Sequence, residues 1–250
     1  PGGFEEFIRE TNSNKLFVRT DFNVSSGHQL TVRHNYVDAL NDVGTQSNTT
    51  YNFPDNFYRF NSETHTTVGQ LNSNFGAMVN EFRFTAQRVR ENRGTTTRFP
   101  QVVVRLPDGG RFEAGTENFS TANELDQDNI ELTNDLTMVR GTHTITVGTH
   151  NEFFKFRNLF IRDNFGSYEF ASLDTLAAGS AQLFDHSFSL TGDPRFPARF
   201  PVYQLGFYAG DQWRLRPNFT LTYGVRWDKP IFPDNPTENP DAVALYGVST

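Results

Sequence analysis

Period-two alternation sustained over long stretches is the feature that most constrains this chain. From Leu221 onward, Leu221, Tyr223, Val225 and Trp227 share one side, while Thr220, Thr222, Gly224, Arg226 and Asp228 share the other. Successive side chains of a strand point to opposite faces, so this stretch reads as a strand with one apolar and one polar face. The preceding segment behaves alike, with Leu205, Phe207, Ala209 and Trp213 opposed to Gln204, Gly206, Tyr208, Gly210 and Gln212. Pro217 lies between the two runs and has no N–H to give a ladder, which marks a turn. The unit is a β-hairpin of two long strands.

Three further hairpins share this form. Strands are expected at 15–24 and 29–39, 66–74 and 78–90, 129–139 and 143–157, and 202–214 and 219–228. Short turns join each pair near 25–28, 74–77, 140–143 and 214–218. Between pairs run long segments without periodicity, 40–65, 91–128, 158–200 and 229–250, which read as loops. Val102–Leu106 is expected to form an extra hairpin outside the main sheet, and a short helix is expected near Leu173–Gly179. The short-turn, long-loop rhythm is that of an outer-membrane barrel. The expected fold is therefore all-β: an antiparallel, up-and-down transmembrane β-barrel segment of about eight long strands, with short periplasmic turns and long extracellular loops. Residues 1–250 are expected to form one partial barrel domain.

Composition agrees with that fold. The chain holds 26 Phe, 8 Tyr and 2 Trp, an aromatic share that suits lipid-facing strands with interfacial girdles. Mean hydropathy is −0.56 and no apolar run is long enough for a spanning helix, but barrel strands need only one apolar face. A net charge of −7 with scattered basic residues excludes a nucleic-acid surface. The absence of cysteine excludes disulfides and thiolate metal sites. Arg88, Arg90 and Lys155 lie more than ~10 residues from their tight turns, so they are expected to stand above the hydrocarbon layer.

The polar faces supply the candidate site. Arg19, Asp21, Glu81, Arg83, Glu131, Asp135, Glu152 and Arg226 are expected to line the lumen, where they neutralise one another. Tyr203, Trp213, Tyr223 and Trp227 are expected as membrane-interface aromatics. His150 and Glu152 share a strand face at i, i+2, yet the sequence offers them no third metal ligand. Neither a nucleophile elbow nor a phosphate loop occurs, and no catalytic residue, cofactor or metal is expected.

The segment QLGFYAGDQWRLRPNFTLTYGVRWD resembles a late hairpin of TonB-dependent outer-membrane receptors, through Tyr208, Asp211, Trp213, Leu215, Asn218, Thr220, Leu221, Gly224, Arg226, Trp227 and Asp228. Gly210 stands where that family usually has Gln. Gly141–Phe160 and the upstream FSTANELDQDNIELTNDLT are similar to the Oar-like branch of the same family. The resemblance implies a bacterial outer-membrane location and a barrel of 22 strands around a plug. It also implies uptake of a scarce nutrient, a small molecule, glycan or peptide, powered by the TonB complex. The chain shows no plug, TonB box or aromatic-terminated last strand, so it is expected to be a piece of such a receptor that contacts TonB through a plug outside it. Two alternatives remain: a soluble β-rich carbohydrate-binding module, and a complete small barrel acting as an adhesin, porin or enzyme.

Overall fold

The computed structural model describes residues 3, 8–44, 46–189, 191–235 and 240–247. In chain order the described elements are β1 (Thr11–Ser25), β2 (His28–Val43), β3 (Thr50–Asn52), β4 (Tyr58–Asn74), β5 (Met78–Thr95), β6 (Gln101–Arg105), β7 (Arg111–Ala114), β8 (Asn123–Arg140), β9 (His143–Phe160), β10 (Ser167–Phe170), α1 (Leu173–Ala177), β11 (Leu183–Asp185), β12 (Ala198–Arg216), β13 (Phe219–Ile231) and α2 (Pro240–Tyr246). Eight of the strands form one sheet in the order β1-β2-β4-β5-β8-β9-β12-β13. Every neighbouring pair in it is antiparallel. β1 and β13 are not hydrogen-bonded to each other, so the sheet is open.

Local chemistry sets the hairpins. Gly141 and Thr142 alone separate Arg140 from its partner His143, and Gly141 has φ +63°, a conformation that costs glycine nothing. Pro217 and Asn218 close the last hairpin between Arg216 and Phe219. The strands are tilted. A hydrogen-bonded row that begins at Asn23, two residues before the end of β1, passes through Gln29, Asn72, Glu81, Asp135 and Gly148 to Tyr208, eight residues before the end of β12. With the short turns at one level, the row climbs one residue per strand, which corresponds to a tilt of ~35° for ordinary strand rise and spacing. Barrel walls have this slant.

The long segments are less irregular than expected. β4 begins at Tyr58 rather than near residue 66, β8 at Asn123 rather than 129, and β5 and β9 run on to Thr95 and Phe160. Toward these ends the outward column turns charged, so the apolar alternation disappears while the backbone ladder continues. The segments also contribute a second sheet, in the order β11-β10-β6-β7-β3. Its β6–β7 pair is an antiparallel hairpin outside the main sheet, but β6 also pairs in parallel with β10, and β7 with β3. Three separate loops are thereby sewn together. Part of the expected final loop, 229–250, lies outside the described residues; β13 reaches Ile231 and α2 follows.

Burial follows the same division. Among the described residues, the buried apolar side chains Phe57, Val104, Ala122, Leu159 and Phe170 lie in or beside the loop layer, and only Val68 sits at mid-strand in the large sheet. Leu159 and Val104 have no exposed surface, so truncating Leu159 to Ala removes a packed side chain worth ~2–5 kcal/mol. The large sheet keeps many of its own apolar residues exposed, Phe22, Phe82, Phe207 and Trp227 among them.

Candidate functional site

The register sorts the large sheet into two faces. On the outward face one row joins Phe22, Leu30, Leu71, Phe82, Asn134, Thr149, Phe207 and Trp227. Rows above and below it add Phe84, Leu132 and Leu205, and Leu136, Val147, Ala209 and Val225. These side chains are open: Phe22 and Phe207 are each 50% exposed and Val225 71%. So broad an apolar surface is not kept in water by an ordinary soluble domain. It ends at a row carrying Arg88, Asp128 and Lys155, above which Arg90 meets Asp128 at 2.6 Å.

Tyr203, Trp213, Tyr223 and Trp227 all stand on this outward face. Trp213 lies three residues from the short turn's end of β12 and stacks on His143 at 5.2 Å, whereas Tyr203 lies near the opposite end of that strand. Trp227 stacks on Phe207. The column also holds a carboxylate that the alternation hid. Asp211 is 9% exposed; it receives hydrogen bonds from the Tyr223 hydroxyl at 2.9 Å and His143 Nδ1 at 2.6 Å.

The opposite face is mainly polar, with Phe17, Val68 and Phe154 among its apolar exceptions, and it carries all of Arg19, Asp21, Glu81, Arg83, Glu131, Asp135, Glu152 and Arg226. Three ion pairs form within single strands at i, i+2. Arg19 binds Asp21 at 2.9 Å, Arg226 binds Asp228 at 2.7 Å, and Arg83 binds Glu81. Side chains two apart in a strand share a face, which is why each strand can neutralise itself. Exposed pairs of this kind are largely screened by solvent, so they tune the charge of the face more than its stability. Asp135 accepts a hydrogen bond from the Tyr208 hydroxyl across two strands. Gly148 lies between them and leaves the room: a Cβ there would stand 2.5 Å from the Tyr208 ring and 2.6 Å from Asp135 Oδ1. Glu131 and Glu152 are direct cross-strand partners, and among the described residues neither forms an ion pair with an arginine or lysine.

Above the apolar band the charges cross strands. Arg59 binds Asp42 at 2.7 Å and Glu10 at 3.0 Å. The Arg59 hydrogen bond, assisted by the Glu10 backbone N–H, holds the Asp42 carboxyl below its usual range. At the start of β8, Glu124 accepts from Arg157 at 2.9 Å and from Arg195 at 2.7 Å. Partial burial works against its ionisation, but the two guanidinium groups prevail and lower its carboxyl. Arg195 also reaches the Thr121 carbonyl at 3.1 Å, which ties the loop before β12 to the base of β8. Farther out, the loop sheet borders a cavity of about 330 Å³ whose charged lining includes Arg105, Arg111, Glu113, Arg162 and Glu169.

Long tilted antiparallel strands, short turns on one edge, linked loops on the other, and an apolar outside backed by a polar inside define the wall of a membrane β-barrel. The chain belongs to the outer membrane beta barrel domain family, whose model matches residues 4–246, and it is an outer-membrane protein. In fold it is similar to the outer membrane transporter YddB from Escherichia coli, with a TM-score of 0.60 at 14% sequence identity. That likeness covers 89% of this chain, which spans 28% of the length of YddB. No curated protein matches the sequence.

Proposed function

We infer that this chain forms part of the wall of a TonB-dependent receptor that takes a scarce nutrient across the outer membrane. The observation that carries the reading is the tilted open sheet itself: a wall segment whose edges, β1 and β13, are both long and unpaired. All fifteen residues of β1 are exposed, and an unpaired ladder of that length in hydrocarbon is untenable. In the proposed receptor both edges pair with further strands of a larger barrel. The resemblance of Tyr208–Asp228 to a receptor hairpin supports the TonB-dependent class.

The polar face then lines the lumen, Trp213 and Trp227 sit toward the two membrane interfaces, and the charged cavity of the loop sheet is where an external ligand first meets the protein. The reading gives the chain transport and no catalysis. A soluble sandwich would have strands of ~5 residues, against 13 to 19 in the large sheet, and a complete small barrel would pair β1 with β13. The test is capture of the full-length protein, extracted from outer membranes, by the periplasmic domain of TonB. Specific capture is expected. Failure to bind TonB, combined with passive conductance in planar bilayers, would overturn the receptor reading in favour of a porin.

A further inference from the structure

Across the polar face every arginine of the three i, i+2 pairs is engaged by its own acid, yet among the described residues one pair of acids has none. Glu131 on β8 and Glu152 on β9 are directly opposite, where like charges repel. Their side chains are only 21% and 26% exposed, so water screens them incompletely. His150, two residues before Glu152 and on the same face, stands between the carboxylates: Nδ1 is 3.7 Å from Glu131 Oε1 and Nε2 is 3.8 Å from Glu152 Oε2. One potential ligand atom from each of the three residues falls within 4.8 Å of the others.

The surrounding hydrogen bonds orient the imidazole. Thr133 donates its hydroxyl to Glu131 Oε1 at 3.1 Å, and the Thr133 oxygen itself lies 2.9 Å from His150 Nδ1. With its proton directed to Glu131, the Thr133 oxygen accepts, so Nδ1 carries the hydrogen, and in the neutral imidazole Nε2 offers its lone pair on the Glu152 side. Metal-binding histidines are held this way, with the remote ring nitrogen donating to an oxygen. We propose that Glu131, His150 Nε2 and Glu152 bind a divalent first-row transition cation, zinc being the best match, on the polar face of the sheet. Two carboxylates and a neutral imidazole balance the charge of the ion, and a nitrogen in the set disfavours calcium and magnesium. Ligand atoms around zinc stand ~3.3–3.5 Å apart, so the separations within the cluster, up to 4.8 Å, have to close by rotation of the two glutamates about their side-chain bonds. Three protein ligands leave a fourth position toward the open side of the sheet. The inference is independent of whether the protein uses TonB.

The test uses the full-length detergent-solubilised protein, with Zn²⁺ measured by competition against a chromophoric chelator and Co²⁺ as a spectroscopic substitute. The wild type is expected to bind one more Zn²⁺ than Glu131→Gln, Glu152→Gln or His150→Gln, or to bind it at least tenfold more tightly. Thr85→Arg is the second kind of variant. Thr85 is the cross-strand partner of Glu131, so the new guanidinium supplies the missing positive charge and displaces the ion. Heat-modifiable migration reports that each variant is folded, and X-ray absorption of the bound Zn²⁺ is expected to show a single imidazole. Unchanged zinc stoichiometry and affinity in the folded variants, or a zinc shell without nitrogen, would overturn the proposal.

Discussion

Replacing Phe82 by arginine tests the assignment of the two faces most directly. On β5 the outward column runs Met78, Asn80, Phe82, Phe84, Ala86 and then Arg88. From Met78 to Ala86 the strand rises ~27 Å, which at a tilt of ~35° is ~22 Å of vertical height, close to the ~25 Å apolar band of an outer-membrane barrel. Phe82 sits halfway, ~11 Å from either rim. Its row neighbours Leu71 and Asn134 offer no carboxylate. Arginine at the midplane is therefore expected to cost ~2–4 kcal/mol, about 30- to 1,000-fold in the ratio of folded to unfolded protein. Ala86→Arg, one residue pair short of the natural Arg88, is expected to cost ~0–1 kcal/mol. Thr85→Arg points to the polar face opposite Glu131 and is expected to change stability by under ~1 kcal/mol. The assay is reversible urea unfolding of the full-length protein in phospholipid vesicles, read by tryptophan fluorescence. Equal costs for Phe82→Arg and Thr85→Arg would refute the face assignment, because both faces would then meet the same solvent.

Two further outcomes follow from contacts at other levels of the sheet. Glu124→Gln weakens the attachment of Arg195, so hydrogen exchange around that residue is expected to quicken at neutral pH. Because the folded carboxyl titrates below its ordinary value, its contribution is whole above ~4.3 and fades as pH falls through the lowered value. The difference between variant and wild type should vanish in acid, and a difference that persisted there would exclude the ion pairs as its cause. Gly148→Ala drives a methyl into the Tyr208 ring and is expected to cost ~1–3 kcal/mol in the same unfolding assay. Adding Tyr208→Leu should recover part of that loss, and no recovery would mean that the clash lies elsewhere.

What could be read in the sequence was what the membrane imposes. Where lipid meets one face and a polar interior the other, the side-chain period of two is written into the residues, and the segments 78–90 and 202–214 fall within β5 and β12. Beyond Arg88 and Lys155 the outward face turns charged, so the strands continue without an apolar signal. The loop sheet was illegible for another reason. β3 and β11 have three residues each, and the parallel pairings of β6 with β10 and β7 with β3 join segments far apart in the chain. Asp211 is legible as a position of the resembling hairpin, but its bonding is not, because it interrupts an apolar column and its partners His143 and Tyr223 lie on the two neighbouring strands.

The same limit explains the third ligand. His150 and Glu152 are two residues apart on one strand, so their shared face is visible in the sequence. Glu131 joins them only through the β8–β9 register, in which Thr133 pairs with His150 and Glu131 with Glu152. A one-residue slip would send Glu131 to the lipid side together with Asp135, and would bring Leu132 and Leu136 inward. Burying two carboxylates in hydrocarbon is far more costly than leaving Glu131 and Glu152 opposed in a polar interior. The apolar column of β8 thus locks the pairing that sets two acids against each other, and the repulsion this creates is what a bound cation would relieve. A polar wall that has to contain such a pair can accommodate it with an arginine, as at Arg83, or with an exchangeable ion; here the position opposite Glu131 on the other side is Thr85, and no arginine was placed there.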